Sequence, residues 1–177
     1  MISFFTQKEF ERPTWDEYFM LQAEIAKLRS NCIVRQVGAV IVSDRRQITS
    51  GYNGTPSGVK NCFDGGCPRC QTRMQETIIS GEDRCVCNHA EANAIMHYVI
   101  LGTRLDPNDN TTLYTTFTPC LECSKMAITV GIRRVVCLDS YLETDHKLLQ
   151  EAGVAVVPLE KERIRHWIEI LLEEPKC

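Results

Sequence analysis

Ten of the 177 residues are cysteine, and eight of these lie between Cys32 and Cys123, mostly in close pairs. Any fold for this chain has to bring those thiols to partners. The N-terminus, MISFFTQKEFER, carries its short apolar stretch ahead of its charges and lacks a positive n-region, so it does not read as a secretory signal. The expected compartment is the cytoplasm, where disulfides are disfavoured and metal binding is the better use of paired thiols. Cys137, inside the apolar run Val135-Val136-Cys137-Leu138, reads instead as a core residue, since a free cysteine packs like a small hydrophobe. Cys177, the last residue, carries no message.

Periodicity supplies the scaffold. A helix is expected over Pro13–Ser30, with Thr14 and Glu17 at capping-box spacing and an apolar stripe of Tyr18, Leu21, Ile25 and Leu28 to dock on a sheet. Residues 37–43 read as a buried strand, 44–46 as a turn and 47–53 as the hairpin partner. From Gly54 to Asn88 the chain is rich in Gly, Cys and charge with little periodicity, and a loop of that length is read as functional. Helices follow over 90–101, 121–130, 145–152 and 160–174, with Gly131 as a C′ residue. Strands are expected over 112–117, 134–138 and 154–158. The order α-β-β-α-β-α-β-α-β-α predicts a single α/β domain across 1–177, a five-stranded mixed sheet with helices on both faces. Its first two strands are antiparallel and the later ones parallel. With 44% hydrophobic and 24% charged residues the chain is an ordinary globular one. A net charge of −3 argues against binding to long nucleic acid, and no apolar run approaches the roughly 20 residues of a membrane span.

The sharpest motif is His89-Ala90-Glu91-Ala92-Asn93 followed by Pro119-Cys120-Leu121-Glu122-Cys123. Two thiols three residues apart fit the first turn of a helix, where the macrodipole and free N–H groups favour thiolate. With the His89 imidazole they make three ligands of a tetrahedral zinc, leaving the fourth position to water, as in a catalytic rather than a structural site. Zinc lowers the pKa of bound water toward about 7, and Glu91, two residues from His89, is the natural proton carrier. Alone, a CxxC is often a structural half-site or a redox pair, and an HxE is common by chance. Together and in this order they form the signature of zinc nucleobase deaminases.

These motifs, with Gly51-Tyr52-Asn53-Gly54-Thr55-Pro56-Ser57-Gly58 and Val37-Gly38-Ala39-Val40-Ile41-Val42, resemble the deoxycytidylate (dCMP) deaminases of the cytidine deaminase-like superfamily. The resemblance covers about residues 14–160, and the Gly-Tyr-Asn-Gly-x-Pro-x-Gly stretch is its most specific part. It implies hydrolysis of dCMP to dUMP and ammonia, supplying dUMP for thymidylate synthesis. It implies attack at C4 of cytosine, with Glu91 protonating N3 and then the departing amine. It further implies that the backbone at Ala90, Pro119 and Cys120 reads the pyrimidine edge and that Asn53 binds the sugar or base edge. A turn asparagine beside Gly54 is the plainer reading of Asn53. Arg35 is the candidate for the substrate phosphate, since guanidinium makes bidentate contacts to phosphate, and a solvated strand-edge charge is its alternative. Tyr141, at the C-terminal edge of the sheet, is either a residue that closes over the base or phosphate or a surface tyrosine.

In relatives the loop is also an effector site, activated by dCTP and inhibited by dTTP. Gly54, Thr55, Pro56 and Gly58 match it, with Mg2+ joining the triphosphate. By itself such a loop is only a turn whose N–H groups can cradle phosphate. Family members are usually homohexamers, which implies a homo-oligomer here.

Six cysteines remain: Cys32, Cys62, Cys67, Cys70, Cys85 and Cys87. In part of the family a second, structural zinc ties the end of the first helix to the long loop and to the segment before His89. The matching positions are Cys32, Cys62 and either Cys85 or Cys87, with Cys67 and Cys70 as further candidates. Six thiolates suffice for one four-cysteine site with two spares, or for two zincs that share them, and spacing does not choose. Scattered free thiols are the bland alternative. Rival functions are a nucleoside deaminase or a nucleic-acid-editing deaminase, which favours a basic surface, and a zinc-stabilised binding module without catalysis.

Overall fold

The structure, a computed structural model, describes residues 11–74, 85–102, 110–138 and 147–172. The chain enters through α1 (Trp15–Lys27), whose start is set by the expected capping box. The Glu17 N–H donates to Thr14 Oγ1, and the Thr14 N–H donates to Glu17 Oε2 at 2.7 Å. Next come β1 (Gly38–Ser43) and β2 (Arg46–Tyr52), joined by a tight turn in which Asp44 and Arg45 both take positive φ. This is the turn geometry that matches the twist of a hairpin. A short helix, α2 (Pro68–Met74), lies within the long segment. After that segment the order is α3 (Ala90–Ile100), β3 (Thr112–Thr115), α4 (Leu121–Thr129), β4 (Arg134–Cys137), α5 (Lys147–Glu151), β5 (Ala155–Pro158) and α6 (Lys161–Leu172).

The strands form one five-stranded sheet in the order β2-β1-β3-β4-β5. β1 is antiparallel to β2 and β3, whereas β3, β4 and β5 run parallel because α4 and α5 serve as crossovers. The mixed sheet is the one expected. Alternation along the strands divides the core. Ala39, Ile41, Leu113 and Val135 face a layer built from Ala94 and Ile95 of α3, Ala127 of α4 and Leu149 of α5. Val40, Val42, Tyr114 and Val136 face Phe19, Met20 and Ala23 of α1 and Ile164 of α6.

Two glycines let the helices approach. A Cβ on Gly38 would lie 2.0 Å from the Ala23 carbonyl oxygen of α1, and one on Gly51 would lie 2.3 Å from the Ala90 carbonyl oxygen of α3. The hairpin therefore accepts a helix pressed onto each face.

Two expectations are corrected. The face of α1 that meets the sheet is Phe19, Met20 and Ala23, with Leu21 of the expected stripe partly buried against the same cluster, whereas Tyr18, Ile25 and Leu28 are exposed. The helix carries two overlapping apolar stripes, and the one containing the small Ala23 permits the close approach at Gly38. The Gly54–Asn88 segment is also less irregular than expected. It contains a 3-10 turn at Cys62–Asp64 as well as α2, and its buried cluster is made of thiols rather than hydrocarbons. Residues 75–84 of that segment, Tyr141 and the first two residues of the expected 145–152 helix lie outside the described residues. Among the described residues no helix is long and apolar enough to cross a membrane.

Candidate metal centre and active site

His89 is the N-cap of α3 and Cys120 the N-cap of α4, with Cys123 in the first turn of α4. Both helices start at the same end of the parallel strands, so two motifs 31 residues apart in the chain meet. His89 Nδ1 lies 3.3 Å from Cys120 Sγ and 3.5 Å from Cys123 Sγ. All three candidate ligand atoms fall within 4.8 Å of one another. An imidazole and two thiolates converging without a fourth protein ligand among the described residues are the donor set of a zinc site with an open position. The donor chemistry therefore fits zinc.

Helix starts also stabilise the charge. The Cys123 N–H donates to the Cys120 sulfur and the Ala92 N–H to Cys123. The Cys123 thiol and the His89 ring hold Cys120 as thiolate, with its pKa lowered to about 3. The Cys120 thiolate and burial push Cys123 up, and the hydrogen bond to Cys120 raises His89. Glu91 is 3% exposed, and burial pushes its carboxyl up to about 7. A carboxyl poised there can both take and give a proton near neutrality.

His89 and Glu91 line a cavity of about 300 Å³, together with Ala90, Asn53 and Cys120. Of the residues singled out from sequence, Arg35 lines this cavity, its guanidinium 4.1 Å from the Phe117 ring centroid. Asn53 is largely engaged by the protein. Its Oδ1 accepts from Ser30 Oγ at 2.7 Å and from the Val37 N–H at 2.7 Å, and its Nδ2 donates to the Arg35 carbonyl at 2.7 Å. An amide has two N–H donors, so one is left for a ligand. Pro119 is fully buried, between Thr118 and Cys120, which line the cavity.

The 54–58 loop sits beside this site. Gly54 and Asn88 exchange backbone hydrogen bonds of 3.2 and 2.8 Å, and the Thr55 N–H donates to Asn31 Oδ1. Those N–H groups are engaged, so a phosphate cradle would fall to Ser57 and Gly58, the latter at φ +82°. Thr55 Oγ1 accepts from Asn31 Nδ2 at 3.2 Å, and Pro56 is exposed. Among the described residues no metal-binding group gathers at this loop. Cys137 is buried in β4, as expected of a core thiol.

Sequence reasoning missed Arg69, Phe117 and Thr118 in the cavity wall. The signal for Arg69 was its place inside Cys67-Pro68-Arg69-Cys70: if that pair holds metal beside His89, the intervening arginine is displayed at the cavity. The other two are neighbours of a motif with no chemistry of their own.

The cytidine and deoxycytidylate deaminase zinc-binding region matches residues 13–139, and the chain belongs to that family. It is similar to deoxycytidylate deaminase of Saccharomyces cerevisiae, 44% identical over 82% of this chain and 45% of the yeast protein. The chain thus spans less than half the length of that relative. It is also similar to deoxycytidylate deaminase of Mycobacterium phage D29, 42% identical over 71% of this chain and 94% of the phage protein. Among solved structures it resembles dCMP deaminase from the cyanophage S-TIM5 in complex with dCMP and dUMP. That likeness has a TM-score of 0.67 and 31% identity, and covers 85% of this chain and all of the phage chain.

Proposed function

We propose that this protein hydrolyses dCMP to dUMP and ammonia, supplying dUMP for thymidylate synthesis. The observation that carries the reading is the buried Glu91 carboxyl in one cavity with the His89–Cys120–Cys123 centre, with Arg35 and Arg69 lining the same cavity. The likeness to a structure holding dCMP and dUMP supports it.

His89, Cys120 and Cys123 would hold the zinc, which as a Lewis acid lowers the pKa of water toward about 7. The chain's own residues do the rest. Glu91 accepts a proton from the attacking water and gives it to ring N3, so that addition at C4 builds no negative charge on the ring. It then carries a second proton to the exocyclic amine, the C4–N bond breaks, and ammonia leaves. One dCMP and one water give one dUMP and one ammonia. Asn53 holds the Arg35–Val37 segment and keeps one N–H for the sugar or base edge. Backbone groups at Ala90, Pro119 and Cys120 face the pyrimidine, and Arg35 and Arg69 bind the 5′-phosphate.

Regulation by dCTP and dTTP, with Mg2+, belongs to the same proposal. It is supported by the Gly54–Asn88 bridge, which ties the loop backbone to the residue next to His89. A homo-oligomer is also proposed, since Val99, Ile100 and Leu101 at the end of α3 are exposed. The surplus thiols are free cysteines, which suits a reducing cytoplasm and the binding of zinc in a structural role.

The test is deamination of dCMP, deoxycytidine, dCTP and a short cytosine-containing DNA strand by the zinc-loaded protein, followed by absorbance and ammonia release. Preference for dCMP is expected. Activity on the nucleoside or the strand alone would overturn the substrate assignment and leave the chemistry.

A further inference from the structure

Next to the His89 centre lies a second cluster, made of six sulfurs. Cys32, Cys62, Cys70 and Cys87 bring theirs within 4.8 Å of one another, and so do Cys67, Cys70, Cys85 and Cys87. No disulfide joins them. Cys32 and Cys70 are 3.9 Å apart, Cys67 and Cys85 3.7 Å, and Cys70 and Cys85 4.0 Å, nearly twice a disulfide bond of about 2.05 Å. Those separations match the edge of about 3.8 Å in a tetrahedron of thiolates at about 2.3 Å from zinc.

We propose that these six cysteines hold two zinc ions rather than one, with Cys70 and Cys87 bridging them. Cys32 and Cys62 complete the first ion's shell, and Cys67 and Cys85 the second's. The coordination arithmetic requires the sharing. Two tetrahedral ions need about eight ligand positions, and six sulfurs supply them only if two serve twice. A thiolate sulfur has lone pairs for two metals. The geometry picks the pair, because Cys70 and Cys87 are the residues common to both groups, and the terminal pairs do not mix.

Burial and charge favour the second ion. A single ion would leave either Cys32 and Cys62 or Cys67 and Cys85 without metal. Apart from Cys85 these thiols are buried, in a cluster to which, among the described residues, Ile33 is the hydrocarbon contribution. That is a poor core unless sulfur–metal bonds hold it. Four thiolates with one dication carry −2, and six thiolates with two dications also carry −2, so the second ion adds no net charge. Backbone donors converge on the terminal sulfurs: the N–H groups of Val34 and Arg35 on Cys32, that of Ile33 on Cys62, and those of Val86 and Cys70 on Cys67. Such donors offset the charge that a terminal thiolate keeps.

The cluster has a structural consequence for the cavity. It fastens the exit of α1 to the 3-10 turn, to α2 and to the segment entering His89. Cys32, Cys70, Cys85 and Cys87 line the same cavity as His89 and Glu91. It also fixes the helix that displays Arg69. The metal count itself does not depend on the substrate.

The experiment counts zinc in the purified full-length protein by native mass spectrometry and elemental analysis. Three zincs per chain are expected, one at the His89 centre and two in the cluster, and the double variant Cys120→Ser/Cys123→Ser should retain two. Two in the wild type and one in that variant would overturn the proposal. Cys32→Ser/Cys62→Ser and Cys67→Ser/Cys85→Ser should each lose one zinc, and Cys70→Ser/Cys87→Ser should lose both. Should these variants fail to fold, wild-type protein loaded with cadmium-113 decides. Two cluster resonances split by coupling through shared sulfurs are expected, and a single resonance or an unsplit pair would overturn it. Three zincs without activity on dCMP would sink the deaminase reading alone, and dCMP activity with two zincs would sink the cluster alone.

Discussion

The two proton transfers proposed for Glu91 need a carboxylate that is dry and close to the candidate metal ligands. It sits one residue inside α3, 3% exposed, with its carboxyl pushed by burial to about 7. Glu91→Gln keeps the shape and removes the titratable carboxyl that would take and give the proton. We expect it to retain metal at the His89 centre and to lose about 10²–10⁴-fold in rate, the scale of general acid–base catalysis. Ammonia release and metal content measured on one preparation check both halves, and an active Glu91→Gln protein would sink the proposed proton transfers. The phosphate contacts proposed for Arg35 and Arg69 have a different signature. Arg35→Gln and Arg69→Gln should each raise KM for dCMP about tenfold or more, the worth of a charged hydrogen bond, while kcat/KM for deoxycytidine stays level. Equal losses on both substrates would assign these arginines to folding instead.

The scale of elements shows how α1 is held. Its inner face presses Ala23 against Gly38, and its first turn sends Asp16 to the sheet. Arg134 of β4 makes a bidentate pair with Asp16 at 2.6 Å for each contact, and the Tyr114 hydroxyl donates to the same carboxylate at 2.9 Å. The Arg134 guanidinium holds the Asp16 carboxyl below the usual carboxylate range. A carboxyl whose folded pKa is depressed stabilises the fold fully above the unfolded pKa of about 3.9, and that contribution disappears as pH falls through the lower folded value. Asp16→Asn should therefore destabilise the protein by roughly 1 kcal/mol at pH 7, with the difference from wild type closing below about pH 4. Urea titrations at several pH values measure it, and a gap that persists in acid would contradict the pairing. Gly38→Ala tests the helix approach. Its Cβ would collide with the Ala23 carbonyl, so a loss of roughly 1–3 kcal/mol is expected, or about 2–4 °C in Tm per kcal/mol.

Across the whole molecule, apolar surface remains outside the two cores. Val99, Ile100 and Leu101 end α3 with 59%, 78% and 64% exposure, and Ile25 and Leu28 project from the C-terminal end of α1. A second copy of this chain is the proposed cover. Ile100→Glu should shift the species seen by light scattering to a smaller mass without loss of the far-ultraviolet spectrum. An unchanged mass would remove that face from the interface.

Much of this was legible one residue at a time. Strand alternation and βαβ order announced the mixed sheet, because parallel strands need helical crossovers. The His89–Glu91 and Cys120–Cys123 spacings announced a metal centre, because each motif sits within a single helix start and needs no distant information. The inner stripe of α1 was not legible, since Phe19, Met20 and Ala23 compete with an equally apolar set and only contact with Gly38 decides between them. α2 was hidden because its buried neighbours are sulfur rather than hydrocarbon. The grouping of six thiols into two sets sharing Cys70 and Cys87 also depends on distances among segments far apart in the chain. Local spacing determined which residues could bind and react; the packing of the long segment against α1 and α3 decided which of them meet.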